Sequence, residues 1–119
     1  MHNRGEILGI LGRHEEAITS YDKALQLNPN HNDFVAWFVR GISLGELGRY
    51  EQAINSYDKA LHINPDLHQA WYTKGNALGE LGRCKEAITS YDKALEIKPD
   101  YQPAKDVRAI ALNKLETKE

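Results

Sequence analysis

A single cysteine, Cys84, stands among 119 residues, so no disulfide can close within the chain, a usage that fits a reducing compartment. Charge of one sign is not in excess: 15 Lys and Arg against 17 Asp and Glu leave a formal net charge of −2. A balance that close to zero gives no electrostatic reason to expect nucleic acid or an anionic membrane as a partner. No apolar run is long enough to span a bilayer, and no charged segment followed by an apolar one reads as a signal peptide. Prolines number only four, and 41% hydrophobic with 27% charged residues is the composition of an ordinary folded domain. The length fits one domain, and the expected setting is the cytoplasm.

What the chain does have is repetition. The six residues SYDKAL occur at Ser20–Leu25, Ser56–Leu61 and Ser90–Leu95, offset by 36 and then 34 residues. The identity is wider than that. GRHEEAITSYDKALQLNP (Gly12–Pro29), GRYEQAINSYDKALHINP (Gly48–Pro65) and GRCKEAITSYDKALEIKP (Gly82–Pro99) align without a gap. A period of roughly 34 residues is a signature of stacked helical hairpins.

Each unit reads as two helices. In the second, Trp37, Gly41 and Leu44 share a helical stripe, Gly48 punctuates, and Ala53, Tyr57 and Ala60 form the next stripe with Ile54 and Leu61 beside them. Spacings of three, four and seven are those of an amphipathic α-helix. Pro65 closes the unit, because proline disfavours helix at the residue before it. Asp66 then offers a cap for the following helix, with Gln69 placed to complete a capping box. One such hairpin cannot bury its own apolar faces. Stacking buries them continuously, with about three repeats as the usual minimum.

These residues resemble the tetratricopeptide (TPR) repeat family. Its pattern of aromatic, small, large, Ala, aromatic, Ala and Pro is matched by Trp37, Gly41, Leu44, Ala53, Tyr57, Ala60 and Pro65. It recurs as Trp71, Gly75, Leu78, Ala87, Tyr91, Ala94 and Pro99, and in the first unit from Gly5 through Leu8, Ala17, Tyr21, Ala24 and Pro29. The resemblance implies an all-α, right-handed α-α superhelix of three hairpins plus a C-terminal capping helix. Repeat 1 covers 1–31, repeat 2 covers 32–65, repeat 3 covers 66–99 and the capping helix covers 100–116. Seven helices are expected. The two extra residues fall between Pro29 and Trp37, as a longer turn or an extra half-turn of helix, with Asn30, Asn32 and Asp33 as candidate caps. The first unit begins at Met1, where its tryptophan would stand, and the last helix carries the stripe Ala104, Val107, Ala111 and Leu115. Together these read as the C-terminal part of a longer array.

Several patterns invite chemistry and have plainer readings. Gly41 and Gly75 match the family position where two helices cross closely, whereas Gly45 and Gly79 are expected either at a tolerated weak turn or on a smooth inner floor. GELG (Gly45–Gly48 and Gly79–Gly82) superficially matches a KH-domain backbone clamp, but that loop belongs to a mixed helix–sheet domain. Arg4, Arg40, Lys74 and Arg108 share one register. Their expected role is packing of the aliphatic stem, with Asp22, Asp58 and Asp92 as available partners. Glu15, Glu16 and Glu86, near second-helix starts, suit the helix dipole. His2, His14, His31, His62 and His68 show no metal-like spacing, and no base or oxyanion donor attends Cys84 or Ser20, Ser56 and Ser90. No cofactor, no metal and no catalytic centre are expected.

The resemblance implies binding of a protein or peptide partner in a concave groove faced mainly by first helices. Counting from Trp37 and Trp71 places Val35, Phe38, Ile42, Gln69, Tyr72 and Asn76 there, and the last helix adds Asp106 and Ile110. An extended apolar peptide or an amphipathic helix would suit this mixture. One subclass grips a chaperone's C-terminal carboxylate with Lys and Asn. Asn76 fits one such place, but Phe38 and Tyr72 stand where charged clamp residues are expected. The alternative is self-association through an apolar end left open at the first helix. With no metal expected, treatment with a chelator should leave the melting temperature unchanged. A chelator-induced shift, or stoichiometric metal after dialysis, would contradict this reading of the histidines.

Overall fold

The computed structural model describes residues 4–27 and 33–117, with side chains for 12–26 and 33–117. Among the described residues there are six helices and no strand: α1 (Arg4–Leu27), α2 (Phe34–Glu46), α3 (Tyr50–Ile63), α4 (His68–Glu80), α5 (Cys84–Ile97) and α6 (Gln102–Thr117). The fold is an all-α helical repeat in which α2–α3 and α4–α5 are hairpins and each helix packs on the next.

The hairpin turns follow from one glycine each. Gly48 and Gly82 adopt φ +79°, a region that residues with a Cβ rarely occupy. Arg49 N–H donates to Leu44 O at 2.9 Å and Gly48 N–H to Gly45 O at 3.0 Å. Arg83 and Gly82 repeat both bonds with Leu78 and Gly79. This six-to-one closure with glycine in the left-handed position satisfies the last carbonyls of α2 and α4 and reverses the chain.

The returning helix lands close. A Cβ built on Gly41 would come within 2.5 Å of Tyr57 Cε1, and one on Gly75 within 2.5 Å of Tyr91 Cε1. No methyl group fits there, so glycine is what lets each hairpin shut. Ala53, Ala60, Ala87 and Ala94 on the opposing helices are fully buried. At the ends of α3 and α5, Asn64 N–H and Lys98 N–H donate to Ala60 O and Ala94 O at 2.8 Å, and Trp71 Nε1 reaches back to Pro65 O at 2.9 Å.

Two expectations are corrected, and one pair of alternatives is decided. The first unit is not a hairpin: α1 runs unbroken from Arg4 to Leu27, with Gly12 inside it. Its turn sequence matches those at Gly48 and Gly82, yet Gly12 stays helical, at a cost of about 1 kcal/mol against Ala. The capping box at Asp66 and Gln69 does not form. Leu67 is the N-cap of α4, without a side-chain cap bond, because main-chain bonds from Leu67 to Asn64 and from Ala70 to Leu67 close the turn. Of the two readings of the inserted residues, the extra half-turn is ruled out: α2 and α4 both have 13 residues, so the insertion lies ahead of α2. There Asp33 caps the helix, accepting from Ala36 N–H at 3.1 Å, while Asn30 and Asn32 lie outside the described residues.

The recurring cations meet the recurring acids. Arg40 pairs with Asp22, Lys74 with Asp58 at 2.7 Å, and Arg108 with Asp92, linking α2, α4 and α6 each to the helix before it. A parallel set joins Arg49 to Glu15 and Arg83 to Glu51. Partly exposed pairs of this kind contribute about 0–1 kcal/mol each, so their effect lies in register more than in stability. Arg4, the first cation of the series, has no described side chain. Ala104 and Ala111 seat α6 on α5, as its apolar stripe predicts.

The two kinds of glycine should respond oppositely to alanine. Gly75→Ala should destabilise by about 1–3 kcal/mol through overpacking against Tyr91. Gly79→Ala, with nothing within 4 Å of its Cβ, should leave stability unchanged or raise it by up to about 1 kcal/mol. Urea denaturation of the two variants checks this; similar losses in both would show that the close approach is not limiting.

Candidate functional site

The described helices are not equivalent. α2 touches α4 and α4 touches α6, whereas α1, α3 and α5 make no contact with one another. The stack therefore curves, with α2, α4 and α6 on its inner side.

Two recesses open between these inner helices. The first, about 190 Å³, lies between α2 and α4 above the start of α3. The second, about 350 Å³, lies between α4 and α6 above the start of α5. They are one recess written twice. Moving 34 residues along the chain converts the lining of the first into that of the second. Ile42 becomes Asn76, Gly45 becomes Gly79, Glu46 becomes Glu80, and Tyr50 becomes Cys84. Thr73 becomes Val107, Asn76 becomes Ile110, and Glu80 becomes Lys114, while Tyr57 and Tyr91 occupy the same place in each.

The tyrosines connect core and groove. Their rings press on Gly41 and Gly75, and their hydroxyls reach the recess: Tyr91 Oη donates to Asn76 Oδ1 at 2.7 Å, and Tyr57 Oη stands 3.6 Å from where a Gly45 Cβ would be. Burial pushes the Tyr57 hydroxyl up to about 12, against a hydrogen bond with Thr73 that lowers it and with Glu46 nearby adding to the rise. Burial, with smaller contributions from Tyr72, Cys84 and Glu80, raises Tyr91 to about 12 as well.

Of the sequence-predicted positions, Ile42, Asn76 and Ile110 line the recesses, Asn76 bordering both. Phe38 and Tyr72 lie half-buried, tilted against Tyr57 and Tyr91 at ring-centroid distances of 6.1 and 6.2 Å, and Tyr72 also meets Tyr101 edge-on at 5.4 Å. Val35 and Ile110 are exposed apolar groups, at 52% and 56%. Gln69 and Asp106 are exposed but border neither recess, and Asp106 accepts from Gln102 Nε2 at 2.8 Å.

Sequence reasoning missed Glu46, Glu80, Tyr50, Thr73 and Lys114. A usable signal existed: continuing the count from Phe38 and Ile42 one more turn reaches Gly45 and Glu46, and the same step repeats at Gly79 and Glu80. Both glutamates are exposed, and neither has an ion pair among the described residues. No group of three or more His, Cys, Asp or Glu among the described residues is placed to hold a metal, and none of the described helices is long and apolar enough to cross a membrane.

Two tetratricopeptide-repeat family models match the chain, one over residues 1–65 and the other over residues 38–101. Similar solved structures include the first TPR of Spaghetti (RPAP3) bound to the HSP90 peptide SRMEEVD, at 24% identity and TM-score 0.82, covering 88% of this chain and 82% of that one. The Arabidopsis OM64 TPR domain aligns at 27% identity and TM-score 0.78, covering 84% and 81%. YrrB, described as a TPR protein with an unusual peptide-binding site, aligns at 26% identity and TM-score 0.75, covering 88% of this chain and 53% of its own. No match was found among curated proteins.

Because Tyr57 and Tyr91 hold their protons more tightly folded than unfolded, their contribution is complete below pH 10 and is lost as pH rises towards 12. Stability measured across that window should fall more steeply in the parent chain than in a Tyr57→Phe/Tyr91→Phe variant. Parallel slopes would mean that the buried hydroxyls do not set this dependence.

Proposed function

This chain belongs to the tetratricopeptide-repeat family, and we propose that it is a protein–protein interaction scaffold holding a peptide or helix of a partner protein in the groove lined by α2, α4 and α6. Repeats of this family generally serve as non-enzymatic interaction modules. The observation that carries the proposal for this chain is the duplicated recess. Two side-chain-sized openings at equivalent places on successive inner helices suit a ligand that extends along the groove.

The contact set is Val35, Phe38, Ile42, Gln69, Tyr72, Asn76, Asp106 and Ile110. Phe38 and Tyr72 serve as anchors already braced by the rings of Tyr57 and Tyr91. Bracing limits the conformational entropy that an aromatic contact loses on binding. The related Spaghetti domain holds a peptide ending EEVD. An acidic tail of that kind suits this groove poorly, because Glu46 and Glu80 border it and Phe38 and Tyr72 replace clamp cations. The self-association alternative rests on the first turns of α1, whose side chains lie outside the described residues.

The test is capture of partners from a lysate by the parent chain and by groove variants, followed by affinity measurement on whatever is retained. Phe38→Ala and Tyr72→Ala should weaken binding about tenfold or more with helix content intact. Gly45→Leu should weaken it by filling the recess, and Asn55→Ala, exposed on α3, should not. Loss of binding in Asn55→Ala alone would move the site to the outer surface.

A further inference from the structure

We propose that the groove selects a segment carrying a lysine or arginine next to an apolar residue, the cation entering the first recess between Glu46 and Glu80; this rests on the groove reading above.

The first ground is where those carboxylates sit. Glu46 is the last residue of α2 and Glu80 the last of α4, and neither helix has a basic residue in its final turn. A helix C-terminus carries partial negative charge, so an acid there is unfavourable and a cation is welcome. Two successive helices thus end on glutamate, at the negative pole, beside one opening. Five acids that face a neighbouring unit are neutralised: Asp22, Asp58, Asp92, Glu15 and Glu51 each meet a cation. Glu46 and Glu80 do not, among the described residues.

The second ground is the recess itself. Ile42 and Ala77 give an apolar wall for an aliphatic stem, half-buried Tyr50 supplies aromatic surface that attracts a cation, and Tyr57 adds its hydroxyl. Thr73 and Asn76 add polar groups at the same opening. Gly45 keeps the floor clear, the nearest atom to a Cβ there being Tyr57 Oη at 3.6 Å.

The third ground is that the second recess is not a copy in charge. Lys114 stands where the first has Glu80, so Glu80 and Lys114 face one opening, and Val107 and Ile110 replace Thr73 and Asn76. That opening suits an apolar side chain. The pair gives the ligand a direction: its basic residue lies towards α2 and its apolar residue towards α6.

The experiment uses three fluorescein-labelled synthetic peptides identical except at one position. Leucine and serine surround an arginine, its neutral isostere citrulline, or a glutamate, and fluorescence anisotropy reads binding to the full chain. The arginine peptide should bind about tenfold tighter than the citrulline peptide, with glutamate weakest, and added salt should narrow the gap. In Glu46→Gln/Glu80→Gln the preference should fall to within about twofold, while Glu16→Gln/Glu96→Gln, with the same change in net charge on α1 and α5, should retain it. Circular dichroism verifies that each variant is folded. Equal affinity for arginine and citrulline, or a preference that survives Glu46→Gln/Glu80→Gln, overturns the charge assignment. In that case the groove reading still stands if Tyr72→Ala weakens all the peptides. Binding that ignores both Tyr72→Ala and Gly45→Leu, or no binding by any peptide, overturns the groove reading and this inference with it.

Discussion

Where a side chain on Gly41 would begin, the ring of Tyr57 already stands, and Gly75 and Tyr91 repeat the arrangement. That contact sets how closely the helices of each hairpin approach. From it follow the full burial of the facing alanines and the seat against which Phe38 and Tyr72 tilt. It also carries the groove, because the same tyrosine that closes the hairpin ends in a hydroxyl at the recess. A change that loosened the ring would therefore disturb the packing and the recess together. The inner face is not a decoration on an independent core.

Charge is sorted by side. Between one unit and the next, cations on first helices and in the glycine turns meet acids on the preceding second helix. The Arg40 guanidinium and the Lys59 ammonium stand 5.8 and 5.6 Å from the centre of the Trp37 ring, so these cations also contact aromatic surface. Towards the groove, the last residues of α2 and α4 keep their charge without a partner among the described residues. A chain whose net charge is only −2 can thus present a local field of one sign on its inner side.

Much of this was legible in the sequence because it depends on spacing along the chain. The period, the glycines that must be small, the stripe that seats α6 and the cation–acid registers all follow from residues repeated at fixed intervals. What was not legible depended on tertiary partners. Gly12 sits in the same local sequence as Gly48 and Gly82, yet it lies inside a continuous helix, so the local sequence alone does not decide the turn. Asp66 has the chemistry of a cap, but main-chain bonds closed that turn first. Glu46 and Glu80 were hidden inside a motif that reads as a turn. Their significance appears only when α2 and α4 stand side by side and the two residues border one opening.

Every tie across a unit boundary joins a residue to the unit before it, and every recess is assembled from residues recurring at one interval. The length of the groove is for that reason a discrete quantity. Removing 34 residues from the middle would leave Asp22 facing Arg40 and Asp92 facing Arg108, with one recess fewer, whereas a shorter deletion between Gly41 and Tyr57 would put glycine and tyrosine out of step. An array of this design changes its reach in whole units, and its stability rises or falls by the same increments.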